Sequence, residues 1–456
     1  MIRFIFCLLF LALGIPNAYA EKPVLDVQVV KSASGIGAWL VEDHSVPVIS
    51  ISFSFEGGLL LDPLDKPGVG KLVSILLDEG AGDLKSQQFQ EKLSNNAISL
   101  SFTPGRDAFH GRLRTITAHK DTAFELLRLA LTKPRFDPDA LVRMKDANTA
   151  SIKKDLGDPS WLAARLFNGM LFEGHIYAQP GAGHLLSMQQ ITRADLLEFV
   201  RSQFARNVLR VSIVGDITAG ETIELLDRIF GELPEKADIP EVNPATLAHA
   251  GKIVLLPLDT PQTYISTGQK GIARDDKDWH AAVIMNYVLG GGSFDARLMR
   301  EIREKRGLTY GVYSTILNMR GASVLQATMS TANEKAVEAL QLLKEEFKKM
   351  SAEGVTPEEL RDAKSYITGS LALELTSTSD IAETLNALQR DNLSPDYINK
   401  RNNMINAVTL ADIRRVAARL LKTDEMTVIM VGKPLGIDVD ILLDRPPGMK
   451  EPPQRK

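Results

Sequence analysis

The chain has 456 residues, 44% of them hydrophobic and 24% charged, and carries a formal net charge of −4. That length suits two domains of roughly 200 residues with sizeable cores, and so mild a charge gives no electrostatic footprint for nucleic acid or an anionic membrane. Its one cysteine, Cys7, excludes an intrachain disulfide.

In chain order, the first feature is a leader. Arg3 supplies a positive start, FIFCLLFLALGI is a short apolar core, and Ala18-Tyr19-Ala20 is a small-x-small cleavage site. The run is too short to span a bilayer. The reading is a signal peptide over 1–20, cleaved after Ala20, and a periplasmic mature chain that has lost Cys7 with the leader. Strands follow in IGAWLVED (36–43) and VPVISISFSFEGG (46–58), where apolar residues alternate. Helical periodicity then predicts helices over 66–79, 119–132, 138–155 and 193–204.

A first domain over 21–237 ends in an aperiodic stretch rich in Pro, Ala and charge, which marks a linker over 238–250. The second domain, 251–438, repeats the order. Strands GKIVLLPL (251–258) and TYISTGQKG (263–271) precede helices over 279–289, 333–350, 357–375 and 409–421, and a Pro-rich tail covers 439–456. Strands and helices mix without regular β-α-β alternation, so the expected fold is α+β: two domains, each an antiparallel sheet covered by helices.

The two halves are homologous. ITRADLLEFVRSQFARNVLRVSIVGDI (191–217) matches VTLADIRRVAARLLKTDEMTVIMVGKP (408–434), with Thr192 and Thr409 as helix N-caps and Asp195 and Asp412 at the third helical position. FDPDALVRMKDA (136–147) matches VTPEELRDAKSY (355–366), with Pro138 and Pro357 each in a first turn. The offsets, 217 and 219 residues, are nearly one value, the mark of an internal duplication.

GGGSFDARLMREIREKRGLTYGVYS (290–314) is the segment most suggestive of chemistry. Gly290, Gly291 and Gly292 lack the Gly-Lys-Ser/Thr of a phosphate loop, so a tight turn is the plainer reading. The helix after them places Phe294, Leu298 and Ile302 on one face with Met299 beside them, and Gly307 as its terminator. Arg297–Glu301, Arg300–Glu304 and Glu301–Lys305 are i,i+4 pairs on a solvated face. Arg303 and Arg306 have no local acidic partner. Arg303 is left to snorkel, to pair across the fold, or to hold a substrate carbonyl or carboxylate.

This segment resembles the C-terminal-half signature of the M16 (pitrilysin/insulinase, mitochondrial-processing-peptidase-like) zinc peptidases. There a glycine-rich segment and a helix lead to an arginine, and a tyrosine follows seven residues later. Arg303 and Tyr310 match that spacing, and the duplicated halves with their linker extend the resemblance over the whole mature chain. The family's zinc site is His-x-x-Glu-His on a helix of the first half, with a further Glu downstream. Aligned on the Lys-Pro-Gly start of 66–80, those positions hold Lys71, Ser74 and Ile75, and no carboxylate lies in ANTASIKK (147–154).

The seven histidines, at 44, 110, 119, 175, 184, 249 and 280, contain no His-x-x-x-His pair. Asp78 and Glu79, at the predicted helix end, have no histidine beside them, and Gly-x-Ser-x-Gly is absent. The resemblance therefore implies a subunit without zinc that pairs with a zinc-bearing M16 subunit and acts on unfolded or short peptides. Arg303 and Tyr310 would serve substrate and transition state, and Gly290, Gly291 and Gly292 would admit substrate or partner backbone. A non-catalytic scaffold or peptide-binding protein of the same fold is the competing expectation.

Overall fold

A computed structural model describes residues 23–291 and 294–445. The leader, with its cleavage site and Cys7, lies outside the described residues, as do Gly292 and the end of the Pro-rich tail.

Six strands of the first half are β1 (Gln28–Lys31), β2 (Gly37–Glu42), β3 (Val48–Glu56), β6 (Ser99–Pro104), β7 (Ala108–Ile116) and β8 (Leu209–Gly215); β4 (Gly80–Ala81) and β5 (Leu84–Lys85) form a small separate hairpin. The second half contributes β9 (Ile253–Pro257), β10 (Gln262–Lys270), β11 (Thr309–Met319), β12 (Ala322–Ala332), β13 (Thr427–Gly432) and β14 (Ile441–Leu442). Sheet orders are β1-β2-β8-β3-β7-β6 and β11-β12-β10-β13-β9-β14, so the second sheet repeats the first with strands traced from the opposite edge.

Both sheets are antiparallel-rich rather than wholly antiparallel. β2 pairs in parallel with β8, and β9 in parallel with both β13 and β14. β14 also carries the second sheet past residue 438, into the stretch expected to be tail.

Helices Lys120–Thr132, Pro138–Asp155, Arg193–Gln203, Trp279–Gly290 and Leu410–Leu420 fall where periodicity puts them. Thr409 and Asp412 cap reciprocally, Asp412 N–H to Thr409 Oγ1 at 3.2 Å and Thr409 N–H to Asp412 Oδ2 at 3.0 Å. Two expectations fail. The stretch 66–79 is helical only over Val69–Ser74 and then runs as turns, and 357–375 breaks at Ser370 into Pro357–Gly369 and Leu371–Glu374. At 66–79 almost every apolar residue is buried, so periodicity cannot separate helix from coiled turns.

One face of each sheet packs on helices of its own half. The first core gathers Phe53, Phe55, Phe102, Phe109, Phe199, Phe204 and Phe230. The opposite faces are covered by exchange. Helix Pro159–Leu171 of the first half lays Leu166, Phe167 and Leu171 on Val254, Ile429 and Val431 of the second sheet. Gly268 of β10 admits it, because a Cβ there would lie 2.5 Å from Leu171 Cδ2. Helix Thr378–Arg390 of the second half lies on β3 and β8. Ile381 and Leu385 join Trp39 and Val214 there, and Gln389 donates to Val211 O at 2.8 Å and to Ser212 Oγ at 2.7 Å.

Candidate functional site

Helix Trp279–Gly290 ends against β11. Gly290 is buried, and a Cβ on it would stand 2.7 Å from both Leu298 Cδ1 and Ser314 Oγ. Its missing side chain therefore serves packing inside its own half, not the approach of a substrate. Gly291 is tight as well, with Tyr287 Cα 2.7 Å from such a Cβ.

Leu298, Met299 and Ile302 are buried, but Phe294 is 63% exposed. The expected stripe assumed an α-helix from Phe294 onward; helical winding begins only at Arg297, and Met299–Glu304 winds as a π-helix. Lys305 N–H reaches Arg300 O at 3.0 Å, and Gly307, at φ 63°, closes the turn with its N–H on Arg303 O at 2.8 Å.

The wider turn rearranges the charges. Glu301–Lys305 forms at 2.6 Å, as i,i+4 spacing predicts. Arg306 is not unpaired: its Nη1 reaches Glu301 O at 2.7 Å and Oε2 at 3.1 Å, a five-residue spacing that the π-turn aligns. Arg297 is not on a solvated face. Only 5% exposed, it grips Glu359 through Nε at 2.8 Å and Nη2 at 2.6 Å, and Nη2 also donates to Gly354 O at 3.0 Å. Arg300 turns toward Glu301 and Glu359, at 3.8 and 3.9 Å, instead of Glu304.

Arg303 is left by this arrangement without a carboxylate at ion-pair distance among the described residues. Its guanidinium lies 5.0 Å from the Phe294 ring centroid, a cation–π contact that keeps the charge at the surface. Seven residues on, Tyr310 is 88% exposed. A bulge interrupts the β11–β12 register between Thr309 and Val312. Thr309 Oγ1 secures it, donating to Ser330 O at 2.7 Å and accepting from Gly311 N–H at 3.1 Å. Bulges re-aim side chains, and this one sits on a sheet edge, because β11 pairs only with β12. Arg303 and Tyr310 do not hydrogen-bond each other. They flank one short connection and offer guanidinium and phenol donors beside an open strand edge, groups suited to peptide carbonyls or a carboxylate.

The Lys71, Ser74 and Ile75 positions do not fit zinc. Lys71 brings an ammonium, Ile75 a hydrocarbon, and the Ser74 hydroxyl is buried and donates to Lys71 O at 2.8 Å. No group of three His, Cys, Asp or Glu able to hold a metal occurs among the described residues. Glu79 is engaged by Arg143 and Ser86, and Asp78 by Gln90. The histidines have structural partners, including His44 with Asp216, His249 with Glu173 and His184 with the Ser187 N–H.

Sequence reasoning missed Asp62, which holds the start of helix Val69–Ser74 by accepting from Gly68 N–H at 2.6 Å and Gly70 N–H at 2.7 Å. Burial pushes its carboxyl up to about 7, against the pull of those N–H groups. Also missed was strand β7, which aligns His110, Arg112 and Arg114 on one face; the alternation in HGRLRTI was its signal.

Residues 190–367 match the family model described as "Peptidase M16 inactive domain". A Helicobacter pylori protein named as a non-peptidase homolog is 29% identical over 72% of this chain and 76% of its own length. An uncharacterized zinc protease of Mycobacterium bovis is 23% identical over 75% of this chain and 83% of its own. Among solved structures, a peptidase M16 inactive domain from Pseudomonas fluorescens superposes with a TM-score of 0.85 at 28% identity, covering 90% of this chain and 99% of that one. A Helicobacter pylori protease shares the fold at a TM-score of 0.82 and 18% identity, over 90% of this chain and all of the other. No described helix is long and apolar enough to cross a membrane.

Proposed function

We propose that this M16-type chain, whose relatives include inactive domains and a non-peptidase homolog, is the zinc-free subunit of a two-chain peptidase. It pairs with a zinc-bearing M16 subunit after export to the periplasm and supplies substrate-binding groups to the shared site. Arg303 holds the substrate backbone or its C-terminal side. Tyr310 donates to the carbonyl oxygen that becomes the oxyanion. One observation carries the reading: a guanidinium with no carboxylate at ion-pair distance among the described residues and an 88% exposed tyrosine, the latter set on a bulge at a sheet edge. Tyr310 contributes nothing to either core.

The test is reconstitution with a zinc-bearing M16 subunit on one unstructured peptide. Tyr310→Phe is expected to lower turnover by roughly 10²–10³, and Arg303→Ala to reduce it with the complex still assembled. Arg361→Ala, on the exposed face of helix Pro357–Gly369, is the control. The second reading, a scaffold without a part in hydrolysis, is favoured by the relative named a non-peptidase homolog. Full activity in both complexes would establish it.

A further inference from the structure

We infer that the cavity between the connection after β3 and helix Pro159–Leu171 binds a small organic carboxylate, with the ligand's apolar body against Leu60 and Ile176. The cavity measures about 280 Å³, close to the lower end of the ~300–1,000 Å³ typical of small-molecule sites. Every described residue lining it belongs to the first half. Its occupancy therefore does not depend on Arg303, Tyr310 or the peptidase reading.

The charged groups of its lining are Arg106, Arg165 and Asp62. Arg106 is half-buried in the turn between β6 and β7. Its Nη1 donates to Tyr177 O at 2.5 Å, and its guanidinium stands 5.3 Å from the Tyr177 ring centroid and 5.9 Å from that of Phe172. The adjacent carboxylate, Asp107, is engaged elsewhere: Oδ1 accepts from the Tyr177 hydroxyl at 2.7 Å and Oδ2 from Arg320 N–H at 3.1 Å. Arg106 has no carboxylate at ion-pair distance among the described residues, and burial pulls its pKa down. Arg165 enters from the helix, donates to Gly183 O and stacks on Trp161, 4.3 Å from a ring centroid. Burial pulls it down to about 10. Asp62 answers with little charge. Its oxygens accept from Gly68 and Gly70 N–H, and burial lifts it to about 7, so at neutral pH two guanidiniums face a carboxyl that is only partly ionised.

Positive charge held out of water without a counter-ion is costly, and a ligand carboxylate supplies the counter-ion. The planar fork of a guanidinium fits a carboxylate with two parallel bonds. The remaining wall selects the rest of the ligand. Leu59, Leu60, Ile176 and Pro180 offer hydrocarbon, and Asn168 and Gln179 add amides. Gly181 keeps the two sides close, because a Cβ on it would lie 2.4 Å from Leu59 Cδ1. An inorganic anion gains nothing from such a wall, whereas a short acyl chain gains with each methylene it buries.

The experiment is calorimetric titration of the full mature chain with hexanoate, hexanamide and inorganic phosphate. Hexanoate is expected to bind with a Kd of roughly 1 mM or tighter, and roughly 10–100-fold tighter than hexanamide, which cannot form the ion pair. Arg106→Gln should weaken hexanoate roughly ten-fold, and Arg106→Lys should weaken it less. Ala164→Phe should block binding by filling the space while both arginines stay in place; Ala164 is exposed on its helix, so this variant serves even where Arg106→Gln fails to fold. Arg361→Gln should bind as the unaltered chain does. N-acetylglycyl-leucine and its C-terminal amide separate two sources of such a carboxylate: the peptide acid binding tighter than hexanoate marks peptide C-termini, and the reverse marks free acids. Equal binding of hexanoate and hexanamide, binding of neither, or phosphate binding tighter than hexanoate would overturn the inference. So would an affinity for hexanoate that survives both Arg106→Gln and Ala164→Phe.

Discussion

The pairing of Arg297 with Glu359 gives the sharpest stability prediction, because its two ends are unequally buried. Arg297 is 5% exposed, and losing its partner strands a guanidinium whose remaining bond is to Gly354 O. Removing one side of a buried pair costs about 3–5 kcal/mol, so Glu359→Ala should fall in that range. Glu359 sits nearer the surface and also accepts from Thr356 N–H at 2.8 Å, so after Arg297→Met it can turn to water while still capping its helix. That substitution should cost less, about 1–3 kcal/mol, and the double substitution Arg297→Met/Glu359→Gln less than the sum of its parts. Because a chain of this size need not unfold in one step, amide hydrogen exchange is the better assay. Amides of 298–312 should lose protection in the order Glu359→Ala, then Arg297→Met, while those of β3 and β7 keep theirs. Equal losses, or an Arg297→Met cost below 0.5 kcal/mol, would show that the pair behaves as a surface ion pair and refute the argument from burial.

Two further predictions concern glycine and proton binding. Gly290→Ala should destabilise by about 1–3 kcal/mol through overpacking, because Leu298 and the Ser314 backbone crowd the new methyl; Gly220→Ala, where nothing lies within 4 Å, should be neutral or stabilising by up to about 1 kcal/mol, and paired thermal melts compare them. Asp62, lifted to about 7 by burial, binds its proton more tightly folded than unfolded, so its contribution is complete below pH ~4 and is lost as pH rises through about 7. Asp62→Asn should flatten that decline in melting temperature between pH 5 and 8; an unchanged slope would mean that the carboxylate is ionised in the fold.

Local chemistry was legible in the sequence at helix starts and in alternating strands. Pro138 set the start of its helix, Thr409-x-x-Asp412 capped another, and the alternation in VISISFSFE read directly as β3. Errors came where a distant residue or an unusual helical pitch decided. Arg297 looked like half of an i,i+4 pair because its true partner is 62 residues away. Arg306 looked unpaired because i,i+4 counting presumes α-helical pitch, whereas the π-turn brings Glu301 to it. Arg303 and Tyr310 were singled out by resemblance to a family signature, but the bulge at Tyr310, held by the bond from Thr309 to Ser330 across the sheet, had no such signal.

That covering helix comes from the other half, and the loan is returned: helix Pro159–Leu171 covers the second sheet as helix Thr378–Arg390 covers the first. The two helices begin 219 residues apart, the offset also seen between FDPDALVRMKDA and VTPEELRDAKSY, so they occupy equivalent places in the repeat. A single ancestral unit would have left one sheet face bare and one helix homeless, and two identical copies would have cured both defects by swapping helices about a twofold axis. In a single chain the arrangement carries no entropic cost of association. Freed from identity, the two halves could diverge in sequence, a course closed to a symmetric pair.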